Sequence, residues 1–174
     1  MNDKSLHDYL RDVALDPGVR RYLEVGCREG DSLEQIVANS VTIERVVVCD
    51  MWGPMYGGTS RGNHDHIDAM LNGFGYTGSR LFLDGDSKEL VPTLREEFDV
   101  VLVDGDHSPA GALADLTNCW GLVAPLGQLV FHDIRHPAHP GLRPLFHVFM
   151  DDQPNCRLRH EILEGHGVAI ALKL

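Results

Sequence analysis

Hydrophobic residues recur along this chain in two patterns, short continuous runs and stretches in which they return every three or four positions. Runs rich in Val, Leu and Phe are typical of β-strands, and the wider spacing is typical of amphipathic helices. Valine runs without polar alternation indicate strands buried on both faces, as in a parallel sheet. The predicted strands are residues 21–26, 44–50, 80–84, 98–104 and 128–132, with two further strand-like stretches near 156–163 and 167–173.

Helical patterns separate the predicted strands. In the first helix, over residues 3–15, Leu6, Leu10 and Val13 share one face. A second helix begins at a cap supplied by Asp31 or Ser32 and runs to about residue 39. Further helices are predicted at residues 63–72, 87–96, 108–123 and 142–150, a loop at 51–62 and a turn at 125–127.

Five alternations of strand and helix, followed by a pair of strands, predict one α/β domain over residues 1–174. The sheet is expected to be mostly parallel and doubly wound, with helices on both faces. Ligands of such sheets bind beyond the carboxyl ends of the strands. We divide the domain into an N-terminal helix (1–18), a cofactor-binding core (20–135) and a C-terminal helix with a strand pair (136–174).

Composition narrows the function classes. Hydrophobic residues make up 43% and charged residues 24% of the 174 positions, as in an ordinary globular domain. The net charge of −11, without any run of Lys or Arg, disfavours nucleic acid and favours a small-molecule partner. The opening segment lacks the apolar region of a secretory signal, and no stretch approaches the roughly 20 apolar residues of a membrane span.

The four cysteines lack the spacing of a disulfide framework or a thiolate zinc site. Cys49 ends an apolar run and Cys119 lies in a helical pattern, so we expect buried, inert thiols. Together with the absence of a targeting or membrane segment, this predicts a cytoplasmic protein.

Acidic or small residues stand where each of the first five predicted strands ends. Because these ends share one edge of a parallel sheet, the side chains are expected to lie close together. Crowded carboxylates repel one another unless a ligand or cation compensates, whereas turn formation explains any one of them alone. The residues are Glu24 and Gly26, Asp50, Asp84 and Asp86, Asp104 and Asp106 with His107, and His132 with Asp133.

The first strand-to-helix turn has the features of a nucleotide site. Gly26 and Gly30 allow close backbone approach where N–H groups can hold an anionic group. Asp50 lies 24 residues beyond Gly26, at the end of the second strand, where a carboxylate can bind both ribose hydroxyls. This pair predicts a nucleoside-bearing cofactor.

The order of these motifs over about residues 20–135 resembles class I S-adenosylmethionine-dependent methyltransferases, in particular a small-molecule O-methyltransferase branch. In that branch the letters DGDHS, here residues 104–108, follow the fourth strand and HD, here 132–133, follows the fifth. The resemblance implies a Rossmann-like, seven-stranded sheet in the order 3-2-1-4-5-7-6, with the last strand antiparallel. It also implies that S-adenosylmethionine is bound by Glu24, Gly26, Gly30, Ser32, Asp50, Met51, Trp52, Asp86, Ser87 and Asp104.

Metal-dependent members of this branch imply a divalent cation, Mg²⁺ or Mn²⁺. Carried over, the ligands are Asp104, His132 and Asp133, and Asp106 or His107 takes a proton from the acceptor. An imidazole beside two carboxylates suits Mn²⁺, Fe²⁺ or Zn²⁺ better than Mg²⁺. The alternatives remain open: His132 and Asp133 as a strand-closing pair, and Asp106 and His107 as helix-capping turn residues.

Two departures from the family pattern affect the site. Arg28 replaces the middle glycine of the usual motif, where it either clashes with the cofactor or pairs with its carboxylate. The segment before the first strand is shorter than in metal-dependent relatives, so an open site, a lid from residues 51–66 or a second subunit is expected. Around the rim, Tyr56, His64 and His66 are candidate pocket residues, with a solvated loop and an exposed helix start as the alternative. His136 and His139 are expected to be surface-loop residues rather than ligands.

We therefore predict methyl transfer to a hydroxyl of a small polar acceptor, a sugar or natural product, with the help of a metal. The expected partners are that acceptor and a second copy in a homodimer, with neither nucleic acid nor membrane. One alternative is an NAD-dependent oxidoreductase, which suits Asp50 but lacks GxGxxG and Tyr-x-x-x-Lys. The other is a non-catalytic S-adenosylmethionine-binding module.

Overall fold

The computed structural model describes residues 4–53 and 62–174. Within these residues the helices are α1 (Lys4–Ala14), α2 (Asp31–Asn39), α3 (His64–Gly73), α4 (Ser87–Leu90), α5 (Pro109–Trp120) and α6 (Leu142–Asp151), and a 3-10 turn (Val91–Thr93) follows α4. The strands are β1 (Arg21–Val25), β2 (Arg45–Asp50), β3 (Ser79–Asp84), β4 (Phe98–Val103), β5 (Val123–His132), β6 (Cys156–Ile162) and β7 (Val168–Lys173).

All seven strands form one sheet in the order β3-β2-β1-β4-β5-β7-β6. The first five strands run parallel, and β7 pairs antiparallel with both β5 and β6. The predicted Rossmann-like fold class and strand order are confirmed. Parallel pairing places the carboxyl ends of β1 to β5 along one edge, which is where the candidate residues stand.

The sheet separates two hydrophobic clusters, because alternate residues of a strand point to opposite faces. Leu23 and Val25 of β1 pack with α4, α5 and α6, whereas Tyr22 of the same strand packs with α1, α2 and α3. Leu6 and Leu10 of α1 are buried in the second cluster, as their helical spacing predicts. The helices thus cover both faces of the sheet.

Several element boundaries differ from the prediction. The helix predicted over residues 87–96 ends at Leu90 and continues as a 3-10 turn, since Pro92 lacks the N–H that a further α-helical turn requires. The turn predicted at 125–127 lies inside β5, where the pairing with β4 shifts register. The cap of α2 is Gly30, so neither Asp31 nor Ser32 serves as the capping residue.

Cys49 and Cys119 are buried, as predicted, and burial raises the pKa of Cys49 to about 12. Among the described residues, no helix combines the length and apolar character that a membrane span requires.

Candidate active site

Two adjoining cavities open at the carboxyl ends of the parallel strands. The larger has a volume of about 410 Å³ and is lined by the ends of β1, β2 and β4 and by the turns that follow β3 and β4. The smaller, about 260 Å³, lies between the turn after β1 and helix α1, which contributes Leu6 and His7. Gly26, Arg28 and Asp104 border both cavities, so the two form one continuous site.

The predicted cofactor residues differ in which of the two cavities they line. Most of them line the larger cavity, and Ser32 lines the smaller one. Glu24, Gly30 and Trp52 belong to the lining of neither cavity. Those in the larger cavity are Gly26, Asp50, Met51, Asp86, Ser87 and Asp104.

Gly26 is required by a close approach of two chain segments. Its φ is +86°, and a Cβ atom there would lie 2.0 Å from the carbonyl oxygen of Asp104. Gly26 also donates its N–H to the carbonyl of Cys49 over 2.9 Å. Only glycine lets the turn after β1 pass this closely to the end of β4.

Gly30 and Glu24 contribute to the packing around the turn after β1, although neither lines a cavity. A Cβ at Gly30, where φ is +90°, would lie 2.8 Å from Cδ1 of Ile67 in α3. Glu24 is fully buried and accepts a hydrogen bond from the Tyr22 hydroxyl over 2.9 Å, while its Oε1 accepts none from the part of the chain that the structure describes. Burial raises the pKa of the Glu24 carboxyl well above its usual value.

Asp50 organises the same turn through backbone donors. Its Oδ2 accepts the N–H groups of Cys27 and Arg28 over 2.7 and 2.9 Å, and its Oδ1 accepts that of Trp52 over 2.6 Å. A carboxylate offers about four acceptor sites, so these three bonds leave room for a ribose hydroxyl. The Trp52 indole donates to Asp84 over 2.9 Å and is thereby directed towards β3.

The far wall of the larger cavity is held by a buried acid that the sequence analysis missed. Asp115 of α5 accepts a hydrogen bond from the Ser87 hydroxyl over 2.5 Å, and burial raises the pKa of its carboxyl. Asp86 caps α4 by accepting the N–H of Lys88 over 2.9 Å. A polar residue on the apolar face of α5 was the signal that could have identified Asp115.

Asp106 serves as a turn residue, and Ser108 caps α5. It accepts the N–H of Ser108 over 2.8 Å, and the Ser108 hydroxyl in turn accepts the N–H of Gly111 at the start of α5. Lys88 Nζ lies 3.4 Å from the Asp106 carboxylate. Burial opposes ionisation, but the bonds from Ser108 and Lys88 outweigh it and lower the pKa of Asp106.

Beside the larger cavity, carboxylates and imidazoles form a cluster that could hold a metal ion. Asp104, His107 and Asp133 offer ligand atoms that all lie within 4.8 Å of one another. His107 Nε2 is 2.8 Å from Asp133 Oδ2 and 3.3 Å from Asp104 Oδ1. His132 Nδ1 lies 3.2 Å from Asp104 Oδ1 and 3.5 Å from Asp133 Oδ1.

Mutual interaction shifts the pKa values within this cluster. Burial would raise the pKa of Asp104, but the His132 charge and hydrogen bonds from both imidazoles lower it to about 2. The hydrogen bonds that His107 donates to the carboxylates of Asp104 and Asp133 raise its pKa to about 9. At neutral pH the cluster therefore holds an ionised Asp104 against a protonated His107.

Further imidazoles surround the cluster. His139 stacks on His107 with ring centroids 4.8 Å apart, and His136 contacts both His139 and His166. His166 Nδ1 lies 3.4 Å from Asp133 Oδ1. His136 and His139 lie in the loop after β5, as expected, and both are half-buried against this cluster.

The other described residues predicted at the rim of the pocket are not part of this cluster. His64 Nδ1 is 3.1 Å from Asp84 Oδ2, and its ring packs on Phe82 of β3. His66 is exposed at the start of α3. Tyr56 and most of the predicted loop fall outside the described residues.

Comparison with known proteins gave a family and a fold. A family model described as a methyltransferase domain matches residues 23–134. No curated protein matches the chain.

Three solved structures illustrate the structural likeness. The O-methyltransferase TomG from Streptomyces achromogenes, in complex with SAM, has a TM-score of 0.76 at 20% identity, covering 99% of this chain and 81% of its own. An O-methyltransferase from Bacillus cereus, in complex with SAH, has a TM-score of 0.74 at 16% identity, covering 100% and 83%. The N-methyltransferase NodS from Bradyrhizobium japonicum has 0.67 at 18%, covering 99% of each chain. At these identities the likenesses bear on the fold.

Proposed function

Since this chain belongs to the family of methyltransferase domains, we propose that it transfers a methyl group from S-adenosylmethionine to a hydroxyl of a small polar acceptor. The family match confirms the predicted methyltransferase family and disfavours the oxidoreductase alternative. The finer assignments below, of cofactor, metal and acceptor, are parts of the proposal.

One observation carries the proposal: Asp104 belongs to both halves of the site. It borders both cavities, and its carboxylate contacts His107 and His132 of the metal-binding cluster. An acceptor hydroxyl held at the cluster would thus lie next to a methyl donor bound in the cavities. Alignment of this kind is a large part of what methyl transfer requires.

The larger cavity suits the nucleoside part of the cofactor. We assign Asp50, at the end of β2, to the ribose and Asp86 with Ser87 to the adenine, because all three line this cavity. The structures of TomG and of the Bacillus cereus enzyme, solved with SAM and with SAH, support this choice of cofactor.

The donor set of the cluster fits a divalent cation. Two carboxylates and one imidazole, those of Asp104, Asp133 and His107, converge there, and His132 Nδ1 lies 3.2 Å from Asp104 Oδ1. Among the described residues, the buried Asp133 Oδ1 has imidazole nitrogens at 3.4 and 3.5 Å but accepts no hydrogen bond. Such mixed oxygen and nitrogen ligands favour Mn²⁺, Fe²⁺ or Zn²⁺ over Mg²⁺. When bound, the cation supplies a Lewis acid that lowers the pKa of the acceptor hydroxyl.

Exposure separates the roles of the two imidazoles. The His132 side chain is 8% exposed and lies deep beside Asp104 and Asp133, so we assign it as the third ligand. The His107 side chain is 33% exposed on the cavity side, so we assign it as the base that accepts the hydroxyl proton. To do so, His107 must first lose the carboxylate hydrogen bonds that keep it protonated.

The cluster favours a hydroxyl over an amine as the acceptor. A hydroxyl must lose its proton as the new C–O bond forms and the S–CH₃ bond breaks, whereas a neutral amine already offers its lone pair. A site rich in cation ligands and imidazole bases serves the first case. The half-buried histidines around it suit a polar acceptor such as a sugar or a hydroxylated natural product.

Calorimetric titration of S-adenosylhomocysteine and Mn²⁺, followed by turnover with a panel of sugars and phenols, tests the proposal. We expect both ligands to bind, His132→Ala to abolish Mn²⁺ binding, and His107→Ala to retain it while turnover falls by about 100-fold or more. If His107→Ala abolished metal binding instead, the two imidazoles would exchange roles. Tight cofactor binding without turnover across the panel, with either Mn²⁺ or Mg²⁺, would favour the non-catalytic module.

A further inference from the structure

Arg28 lies at the junction of the two cavities in a tightly fixed backbone. Its φ is +54°, a left-handed conformation that few residues other than glycine adopt. Its N–H donates to Asp50 over 2.9 Å, and a Cβ at Gly62 would lie only 2.2 Å from its carbonyl oxygen. The main chain at Arg28 is thus held from two sides while its side chain is exposed between the cavities.

Arg28 differs from the other cationic side chains at the larger cavity, which are paired with carboxylates. Lys88 is shared by Asp86 and Asp106, and His107 is engaged by the metal-binding cluster. Within residues 4–53 and 62–174, the Arg28 guanidinium makes no ion pair or hydrogen bond. It is therefore a cation that borders both cavities and is available to an anionic ligand.

S-adenosylmethionine carries one such anion, the carboxylate of its methionine part. The acidic edge attracts the sulfonium and ammonium groups of the cofactor, but it repels this carboxylate. Building on the proposed function, we propose that Arg28 pairs with the cofactor carboxylate and that the methionine part occupies the smaller cavity. The Ser32 hydroxyl in the lining of that cavity provides a further hydrogen-bond donor.

The affinity for the cofactor should fall in the order Arg, Lys, Met at position 28. A guanidinium binds a carboxylate through two parallel N–H donors, which a lysine ammonium cannot reproduce. Hydrogen bonds to charged groups correspond to roughly a 10- to 100-fold change in affinity. Arg28→Met removes the charge and retains a side chain of similar reach, and Arg28→Lys restores the charge without the planar fork.

A comparison of two ligands isolates this contact. S-adenosylhomocysteine carries the carboxylate, and 5′-methylthioadenosine has the same nucleoside thioether without it. We expect Arg28→Met to weaken S-adenosylhomocysteine binding about 10- to 100-fold and to leave methylthioadenosine binding within about twofold. Arg28→Lys should recover part of the loss. Arg21→Met, an exposed arginine at the opposite end of β1, is the matched control and should change neither affinity.

Unchanged S-adenosylhomocysteine affinity in Arg28→Met would overturn the inference while leaving the proposed function intact. Equal weakening of both ligands would also overturn it, because the substitution would then act through the turn. If the wild-type protein bound neither ligand, the proposed function would fail, and the inference would fail with it.

Discussion

At the scale of single residues, the carboxylates of the site fall into two groups by what they contact. Asp50 accepts backbone N–H groups of the turn after β1, and Asp106 accepts that of Ser108 in its own turn. Asp104 and Asp133 contact imidazole nitrogens instead. Backbone N–H groups give the first group a structural role, whereas the second group can exchange its imidazole contacts for a cation.

Asp50→Ala is expected to weaken S-adenosylhomocysteine binding at least about tenfold, because it removes the proposed ribose acceptor and three hydrogen bonds from backbone N–H groups beside the cavity. Calorimetry gives the affinity and thermal unfolding the stability. The matched control is Asp99→Ala, since Asp99 also accepts two backbone N–H groups, from Arg20 and Arg21, at the opposite end of the sheet. Both variants should lose stability, and only the first should lose affinity. Equal affinities for the two would remove Asp50 from the cofactor site.

Glu24 should make stability depend on pH. Its pKa is raised in the folded protein, so its contribution is fully present below about pH 4.5 and is lost as the pH rises through the folded pKa. Glu24→Gln removes this loss. The variant should therefore have a higher melting temperature than the wild type at pH 8, and the difference between the two melting temperatures should shrink towards pH 5.

The free energies of unfolding of Glu24→Gln and the wild type should differ more as the pH rises. While the Glu24 carboxyl stays protonated in the folded protein, this difference should grow by about 1.4 kcal/mol per pH unit. Urea unfolding at several pH values measures it. Glu44→Gln, at an exposed pair with Arg20, should show no such trend. If the difference in free energy of unfolding did not change with pH, ionisation of Glu24 would not destabilise the folded protein, and the prediction would be wrong.

At the scale of elements, the turn after β1 fixes where the site can form. Gly26→Ala should destabilise the protein by about 2 kcal/mol or more, since the added Cβ would meet the Asp104 carbonyl at 2.0 Å. Gly75→Ala is the matched control, because Gly75 also has a positive φ, +71°, but no atom within 4 Å of the added Cβ. Chemical denaturation of both variants separates the steric contact from backbone strain. Equal losses in the two would contradict the close approach.

The elements with a clear period could be predicted from the sequence, and the misjudged boundaries have identifiable causes. Pro92 lies where the predicted helix gives way to a 3-10 turn. At residues 125–127, a sequence typical of a turn continues as a strand, with Leu126 at φ +63° and a register shift opposite β4. Pairing with a neighbouring strand can override local turn preference, and local sequence does not reveal that partner.

At the scale of the whole molecule, parallel topology explains why the candidate edge could be predicted. Residues that end successive strands meet there whatever their distance along the chain. The contacts of His107 with His139, and of Asp133 with His166, join a loop after β4 to the loop after β5 and to the β6–β7 connection. Such pairs depend on how loops fold over the edge, so no spacing in the sequence predicted them.

Net charge acts at this scale as well. The molecule carries −11, and its site edge is acidic. A field of this sign attracts divalent cations and the sulfonium of the cofactor, and it repels polyanions. The position of Arg28 in this edge is consistent with a local need for one positive charge.

A crystal structure of the protein soaked with S-adenosylhomocysteine and Mn²⁺ tests the central claim most directly, because anomalous scattering locates the ion independently of the ligand. The account predicts a manganese peak between Asp104 and Asp133, the ribose beside Asp50, and the ligand carboxylate beside Arg28. A manganese ion away from this cluster, or S-adenosylhomocysteine bound outside the two cavities, would contradict it.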